Sequence, residues 1–319
     1  MKVYSWTGEH PNFGDDLNHF LWQFVMPEVV ADPEDGGLLI GVGTVLSNKL
    51  PIGKPRVVMG SGVGYSAVPQ DLSGPGWAIY AVRGPLTAKL LNLPVGRAVV
   101  DPAVLLPTMP NWSGHKHGDA ILVPHWITAQ DSDWSWASEK CGLKYVDPRQ
   151  DPKVVINAIA GARLVVAESM HAAIIADAFR VPWIPIIGLH RAIFKWTDWT
   201  SSLSMDYQPH KIGLWAHIQH KLSPNPQFTG SGGSVAVPSD VATKLNLAAS
   251  ARGVIGKVPS IIRRQLIIRD LSRVQNQPSQ LSSDLTLRGR QKLLLERIAQ
   301  LRSDFAAGRI GRAISGEAV

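Results

Sequence analysis

The run from Leu164 to Pro182, LVVAESMHAAIIADAFRVP, constrains the chain more than any other. Leu164, Val165 and Val166 read as a short apolar strand, and Glu168-Ser169 as the turn that ends it. An Ala- and Ile-rich helix then runs from Met170 to Phe179, and Pro182 leads into a second strand from Trp183 to Ile187. A helix between two apolar strands is the signature of a parallel crossover. Ser169 is positioned to cap the helix, and His171 falls in its first turn. Unpaired N–H groups and partial positive charge at a helix start favour a bound phosphate or carboxylate, to which a histidine adds a proton or a hydrogen bond.

The same alternation extends in both directions. Candidate strands are Val3 to Trp6, Gly37 to Val42, Arg56 to Met59 and Trp77 to Val82; Asp15 to Val25 and Pro85 to Leu91 are helical. A second block holds strand Ala120 to Val123 and helix Asp151 to Ala160 before the run described above. The segment Met109 to Gly118, rich in Pro, Gly, Asn and Ser, is expected to join the blocks. The expectation is α/β, with two Rossmann-like parallel-sheet domains over residues 1–112 and 113–220. A linker of loop composition, 221–250, and a basic helical tail, 251–319, follow.

Charge separates that tail from the rest. Residues 251–319 carry 13 Lys/Arg against 5 Asp/Glu, a net +8, while residues 1–250 sum to −1. Leu287, Leu294, Ile298, Leu301 and Phe305 share one helical face, and its partner is either the body or an anionic membrane surface. No nucleic-acid-binding module accompanies the basic residues, and no nucleic acid is expected as a partner. The one cysteine, Cys141, excludes an internal disulfide and a cysteine-based zinc site. The opening Met1-to-Trp6 segment reads as a strand rather than a secretory signal, and no run of eighteen apolar residues occurs. A cytoplasmic location, peripheral on the inner membrane if the tail binds it, is the expectation.

Several polar turns follow the strands. Asn12-Phe13-Gly14-Asp15-Asp16-Leu17-Asn18 turns from the first strand into a helix: Gly14 permits close approach, Asn12 can orient a ligand, and Asp15 or Asp16 can accept a proton or cap the helix. Val82-Arg83-Gly84-Pro85-Leu86-Thr87 puts an arginine at a strand end, where a carboxylate or phosphate can be held by two parallel hydrogen bonds. Asp101-Pro102-Ala103 is a turn with a carboxylate that looks buried. Val123-Pro124-His125-Trp126 repeats the strand-then-polar pattern, and Lys195-Trp196-Thr197-Asp198-Trp199 sets charges among aromatics near His190 and Arg191. The Gly41 and Gly60 turns complete neither a Walker loop nor a dinucleotide fingerprint. No metal motif appears, so no metal is expected.

Taken in order, the Asn12–Asp15, Val82–Thr87, Asp101–Pro107, Pro124-His125, Ser169–His171 and Lys195–Asp198 segments resemble the polysaccharide pyruvyl transferase family over roughly residues 1–205. The resemblance implies a two-domain fold facing a cleft, like that of GT-B glycosyltransferases. It implies transfer of a pyruvyl group from phosphoenolpyruvate to two hydroxyls of a sugar, on a lipid-linked oligosaccharide, with no cofactor beyond that donor. Many relatives carry Arg where this chain has Ser169, so donor charge is expected from Arg83, Arg191 or Lys195, with Ser169 at the helix start. A general acid is needed for the donor's methylene carbon and a base for the sugar hydroxyl. His171 is the first candidate, followed by His125 and, as base, Asp15. Asn12, Trp126 and Trp196 are the acceptor candidates. A sugar-nucleotide glycosyltransferase of the same architecture and a non-catalytic carbohydrate-binding scaffold are the rival readings.

Overall fold

The computed structural model describes residues 1–222 and 258–310, apart from residues 7, 9, 33–36, 52, 65, 66, 70, 71, 73, 75, 111, 113–115, 117 and 191. Residues 223–257, which include most of the expected linker, and 311–319 lie outside the description.

Two parallel sheets organise the chain. The first holds β1 (Lys2–Tyr4), β2 (Leu38–Ile40), β3 (Arg56–Met59) and β4 (Trp77–Ala81) in sequential order. A parallel bridge from Val82 to Ala98 brings the Ala98–Val100 segment beside the end of β4. The second sheet, in the order β6-β5-β7-β8-β9, holds β5 (Ala120–Val123), β6 (Lys144–Tyr145), β7 (Leu164–Ala167), β8 (Trp183–Ile187) and β9 (His210–Lys211). Every pairing within it is parallel. Strands β5, β7 and β8 are buried along their whole length, as expected of strands covered on both faces.

The long helix expected from Asp15 to Val25 is instead a series of short turns: α1 (Phe13–Asp16), a 3₁₀ turn (Leu17–His19), α2 (Leu21–Val25) and α3 (Pro27–Val30). Asn18 breaks the regular run. Its amide accepts from Trp22 Nε1 (2.8 Å) and Val42 N (2.9 Å), and donates to Val42 O (2.9 Å), so it fastens the segment to the end of β2. Further along are α4 (Pro85–Leu90), a 3₁₀ helix (Pro102–Thr108), α5 (Ser132–Lys140), α6 (Pro152–Gly161), α7 (Met170–Ala178), α8 (Ile193–Ser202) and α9 (Gly213–Leu222). Helix α7 is buried over its full length and packs on the 3₁₀ helix of the first domain. Through this contact one apolar core, with Phe13, Leu17, Leu105, Met170 and Ile174 among its members, runs through both domains.

The basic C-terminal segment is built into the body. Helix α10 (Ser260–Val274) packs on α5 and α9, burying Ile267, Leu271 and Val274. Its Arg264 Nε and Ser260 Oγ donate to Asp133 Oδ1 at 2.7 and 2.8 Å, and Arg263 pairs with Oδ2 at 2.9 Å. Helix α11 (Asp284–Ala306) returns to the first domain and buries Leu287, Leu294, Ile298 and Leu301. Tyr80 Oη donates to Asp304 (2.8 Å), and Gln291 Nε2 to Val104 O (2.8 Å). Of the two partners open to its apolar face in the sequence, the body is the one it contacts. No helix among the described residues is long and apolar enough to cross a membrane.

Candidate active site

Parallel strands deliver their C-terminal turns to one edge of a sheet, where ligands of such folds bind. Here Asn12 follows β1, Arg83 follows β4, Asp101 follows the Ala98–Val100 segment, His125 follows β5, and Glu168 to His171 follow β7. Phe13 N donates to Pro148 O at 3.0 Å, pinning the first turn of one domain to a loop of the other.

The Asn12 turn is internally braced. Asn12 Oδ1 accepts from Gly14 N (3.4 Å) and Nδ2 donates to Asp15 Oδ2 (2.5 Å). The desolvation of Asp15 raises its pKa from 3.8 to about 6, against the opposing Asn12 bond and Lys195 charge. The imidazole of His171 lies directly on Gly14: a Cβ there would stand 2.0 Å from Nδ1. Glycine is therefore required by the approach of a side chain from the other domain. On its other edge, His171 Nε2 stands 3.9 Å from Asp101 Oδ2. Asp101 is fully buried and uses Oδ1 to accept from Ala103 N (3.0 Å). Burial raises its pKa to about 6, despite the Ala103 bond and the Arg83 charge. Burial also lowers the pKa of His171 to about 3, and the charges of Lys195 and Arg83 add to this.

His125 stacks on His190 with ring centroids 3.8 Å apart. Its Nδ1 accepts from Ile127 N (3.3 Å), which leaves the proton of the neutral ring on Nε2. Burial first, then electrostatic interaction with His190, Lys195 and His171, holds its pKa far below the usual range. The loops of both histidines hang on Glu168, a residue to which the sequence assigned no role. Its carboxylate accepts from His125 N (2.9 Å), His190 N (3.0 Å), Gly188 N (3.0 Å) and Thr128 Oγ1 (3.0 Å). Desolvation raises its pKa, while these four donors oppose the shift.

Arg83 and Asp198, from two separate motifs, form a fully buried ion pair at 3.1 Å. Arg83 also donates to Thr44 Oγ1 (2.7 Å) and Val63 O (3.0 Å), and Asp198 accepts from Thr87 N (2.9 Å) and Oγ1 (2.6 Å). Lys195, in the first turn of α8, is buried, and its charge acts on Asp15, His125 and His171. Ser169 precedes α7 as expected, but its side chain makes no capping hydrogen bond. Trp196 is only 2% exposed, and it stacks on Tyr207 (5.1 Å) among Trp183 and Trp199. That position is core, and Trp196 is not among the residues that line the pocket described next. Arg191 lies outside the described residues.

A pocket of about 460 Å³ opens beside the Asn12 turn, lined by Trp6, His10, Asn12, Asp15, Asp16 and His19 among others. Trp126 packs behind two of these residues, 5.8 Å from Trp6 and 5.9 Å from His10 between ring centroids. Trp6, 40% exposed, and His10 were not singled out in the sequence; their place just before the Asn12 turn was the signal available. Among the described residues no group of three or more His, Cys, Asp or Glu is arranged to hold a metal ion.

The polysaccharide pyruvyl transferase model matches residues 34–189, a span reaching from just before β2 of the first sheet to just past β8 of the second. The succinoglycan biosynthesis protein ExoV of Rhizobium meliloti (strain 1021) is 45% identical over 219 residues, covering 66% of this chain and 68% of that protein. The chain belongs to the polysaccharide pyruvyl transferase family. No solved structure matches it. For this family member the buried histidine on the Asn12 turn, the buried carboxyls of Asp15 and Asp101 and the pocket with indole and imidazole walls are the features from which chemistry has to be derived.

Proposed function

We propose that the chain transfers the pyruvyl group of phosphoenolpyruvate to two hydroxyls of a sugar in an exopolysaccharide repeat unit, forming a cyclic ketal and releasing phosphate. The observation that carries this reading is His171 held at the start of α7 against Gly14, in the turn whose Asn12 and Asp15 line the pocket. The first step adds a proton to the donor's methylene carbon, and its neighbour becomes electrophilic. One sugar hydroxyl adds there, phosphate leaves with the C–O bond pair, and the second hydroxyl closes the ring. Of the two hydroxyl protons, one offsets that taken up by the new methyl group and the other departs on phosphate.

His171 is the general acid and Asp15 the base that accepts a hydroxyl proton. With its pKa at about 3, His171 is neutral at pH 7 before the donor binds. The negative charge of a bound donor raises that value and protonates the ring. Asp15, with a pKa of about 6, is largely ionised at the same pH yet basic enough to take a proton. Lys195, Arg191 and the N–H groups of the α7 start supply positive potential for the donor, and Arg83 contributes its charge from behind the site. His125, neutral and stacked, is a hydrogen-bonding neighbour of the donor. Trp6 and Trp126 offer indole surface to sugar faces, with Asn12 between them and the reacting centre.

The acceptor is a lipid-linked repeat unit met at the cytoplasmic face of the inner membrane. Exposed Ile261 and Ile262 at the start of α10 and the basic charge of residues 251–319 support that placement. The test is product release: phosphoenolpyruvate with acceptor should yield inorganic phosphate, and His171→Ala should abolish this without a change in melting temperature. Turnover of a sugar nucleotide with release of nucleoside diphosphate would instead identify a glycosyltransferase.

A further inference from the structure

We propose that Asp101 is the positioning residue that selects which nitrogen of His171 faces the reacting atoms. The inference rests on the function proposed above and assigns a part to a carboxylate outside it. Asp101 comes from the first domain and His171 from the second. Oδ1 of Asp101 is committed to capping the 3₁₀ helix through Ala103 N. Among the described residues neither the buried Oδ2 nor the buried His171 Nε2 has a hydrogen-bond partner, and they face each other across 3.9 Å. Two buried polar atoms left unsatisfied are each costly, about 1–3 kcal/mol, and a shift of about 1 Å turns this pair into an N–H···O bond.

An ionised carboxylate only accepts, so the pair requires the proton on Nε2. The lone pair of the neutral ring, and the transferable proton of the charged ring, then belong to Nδ1. That nitrogen lies on Gly14, in the turn that Asn12 and Asp15 brace. The other charges facing this pair are Arg83 and Lys195, which disfavour a charged imidazole, and Asp15 and Asp198, which act on Asp101. An ionised Asp101 offsets the two cations and stabilises the imidazolium that donor binding creates. It touches neither substrate, and its effect passes entirely through His171.

Asp101→Asn isolates this role. Capping of Ala103 keeps the amide oxygen at the Oδ1 position, so the NH₂ group replaces Oδ2 and donates toward Nε2. The proton of His171 is thereby moved to Nδ1. In two-bond ¹⁵N–¹H spectra, with the His171 signals assigned by their loss in His171→Ala, the parent chain should show the Nε2–H tautomer and Asp101→Asn the Nδ1–H tautomer. With phosphoenolpyruvate and acceptor, kcat should fall by about 100-fold or more while the donor KM changes little. A parent spectrum showing Nδ1–H overturns the proposal even if the variant fails to fold. So does an Asp101→Asn protein with parental tautomer or parental kcat, since Asp101 would then be a helix cap alone. The spectra need no turnover, so absence of pyruvyl transfer would count against the proposed function and leave this assignment to be judged by the tautomer.

Discussion

Gly14 and Asp15 show how much of the site lies in single atoms. A methyl group on Gly14 would stand 2.0 Å from His171 Nδ1 and must push the ring away. Displacements of this size cost roughly 100-fold in rate, so Gly14→Ala should lose activity by about that factor, and overpacking of this buried contact should lower its stability by about 1–3 kcal/mol in denaturant. Asp15 makes a prediction in pH. Its carboxyl titrates at about 6 in the folded chain against 3.8 when unperturbed, so between those values the folded state holds a proton that the unfolded state releases. The group therefore lowers stability as pH rises through this window, and its cost is constant above it. Melting curves of Asp15→Asn and the parent should diverge from pH 4 to 6, with the variant gaining, and run parallel above. Equal slopes in that window would show that the carboxyl is not raised. These residues were legible in the sequence because a polar turn after an apolar strand announces itself. Trp6 and His10 were not, because nothing local distinguishes an aromatic that walls a pocket from one in the core.

At the level of elements, the alternating strands and the crossover helices were readable from apolar periodicity. The two-residue strands β6 and β9 were too short to register, and α8 was hidden by aromatics that suggested a stacking surface. Trp196 and Trp199, at helical spacing, in fact turn inward. Arg83 and Asp198 were each visible, but their pairing across 115 positions was not. With both partners buried and the guanidinium bonded to three protein groups, removing either charge leaves the other stranded. Asp198→Ala should therefore lose about 3–5 kcal/mol in urea denaturation. A loss of donor affinity with unchanged stability would instead put Arg83 on the donor. Helix α11 makes a similar case. Leu294→Ala, in the fully buried face, should cost about 2–5 kcal/mol, whereas Leu295→Ala, on the exposed side, should stay within about 0.5 kcal/mol. Equal effects would mean that the helix does not rest on the first domain as described.

For the molecule as a whole, the site exists only because the two sheets are held together. Asn12, Asp15 and Asp101 come from the first, and His125, Glu168 and His171 from the second. A core continuous through the α7 contact fixes their approach, and α11 straps the C-terminal segment back over the first domain. The most direct test of the proposed activity is the mass of the product. Phosphoenolpyruvate labelled with carbon-13 should be incubated with the chain and a lipid-linked oligosaccharide acceptor. The account predicts an acceptor heavier by one pyruvate less water, bearing the label and a ketal carbon resonance, in amounts equal to the phosphate released, and none of it with His171→Ala. An acceptor of unchanged mass, or one extended by a sugar from a nucleotide donor, would contradict it.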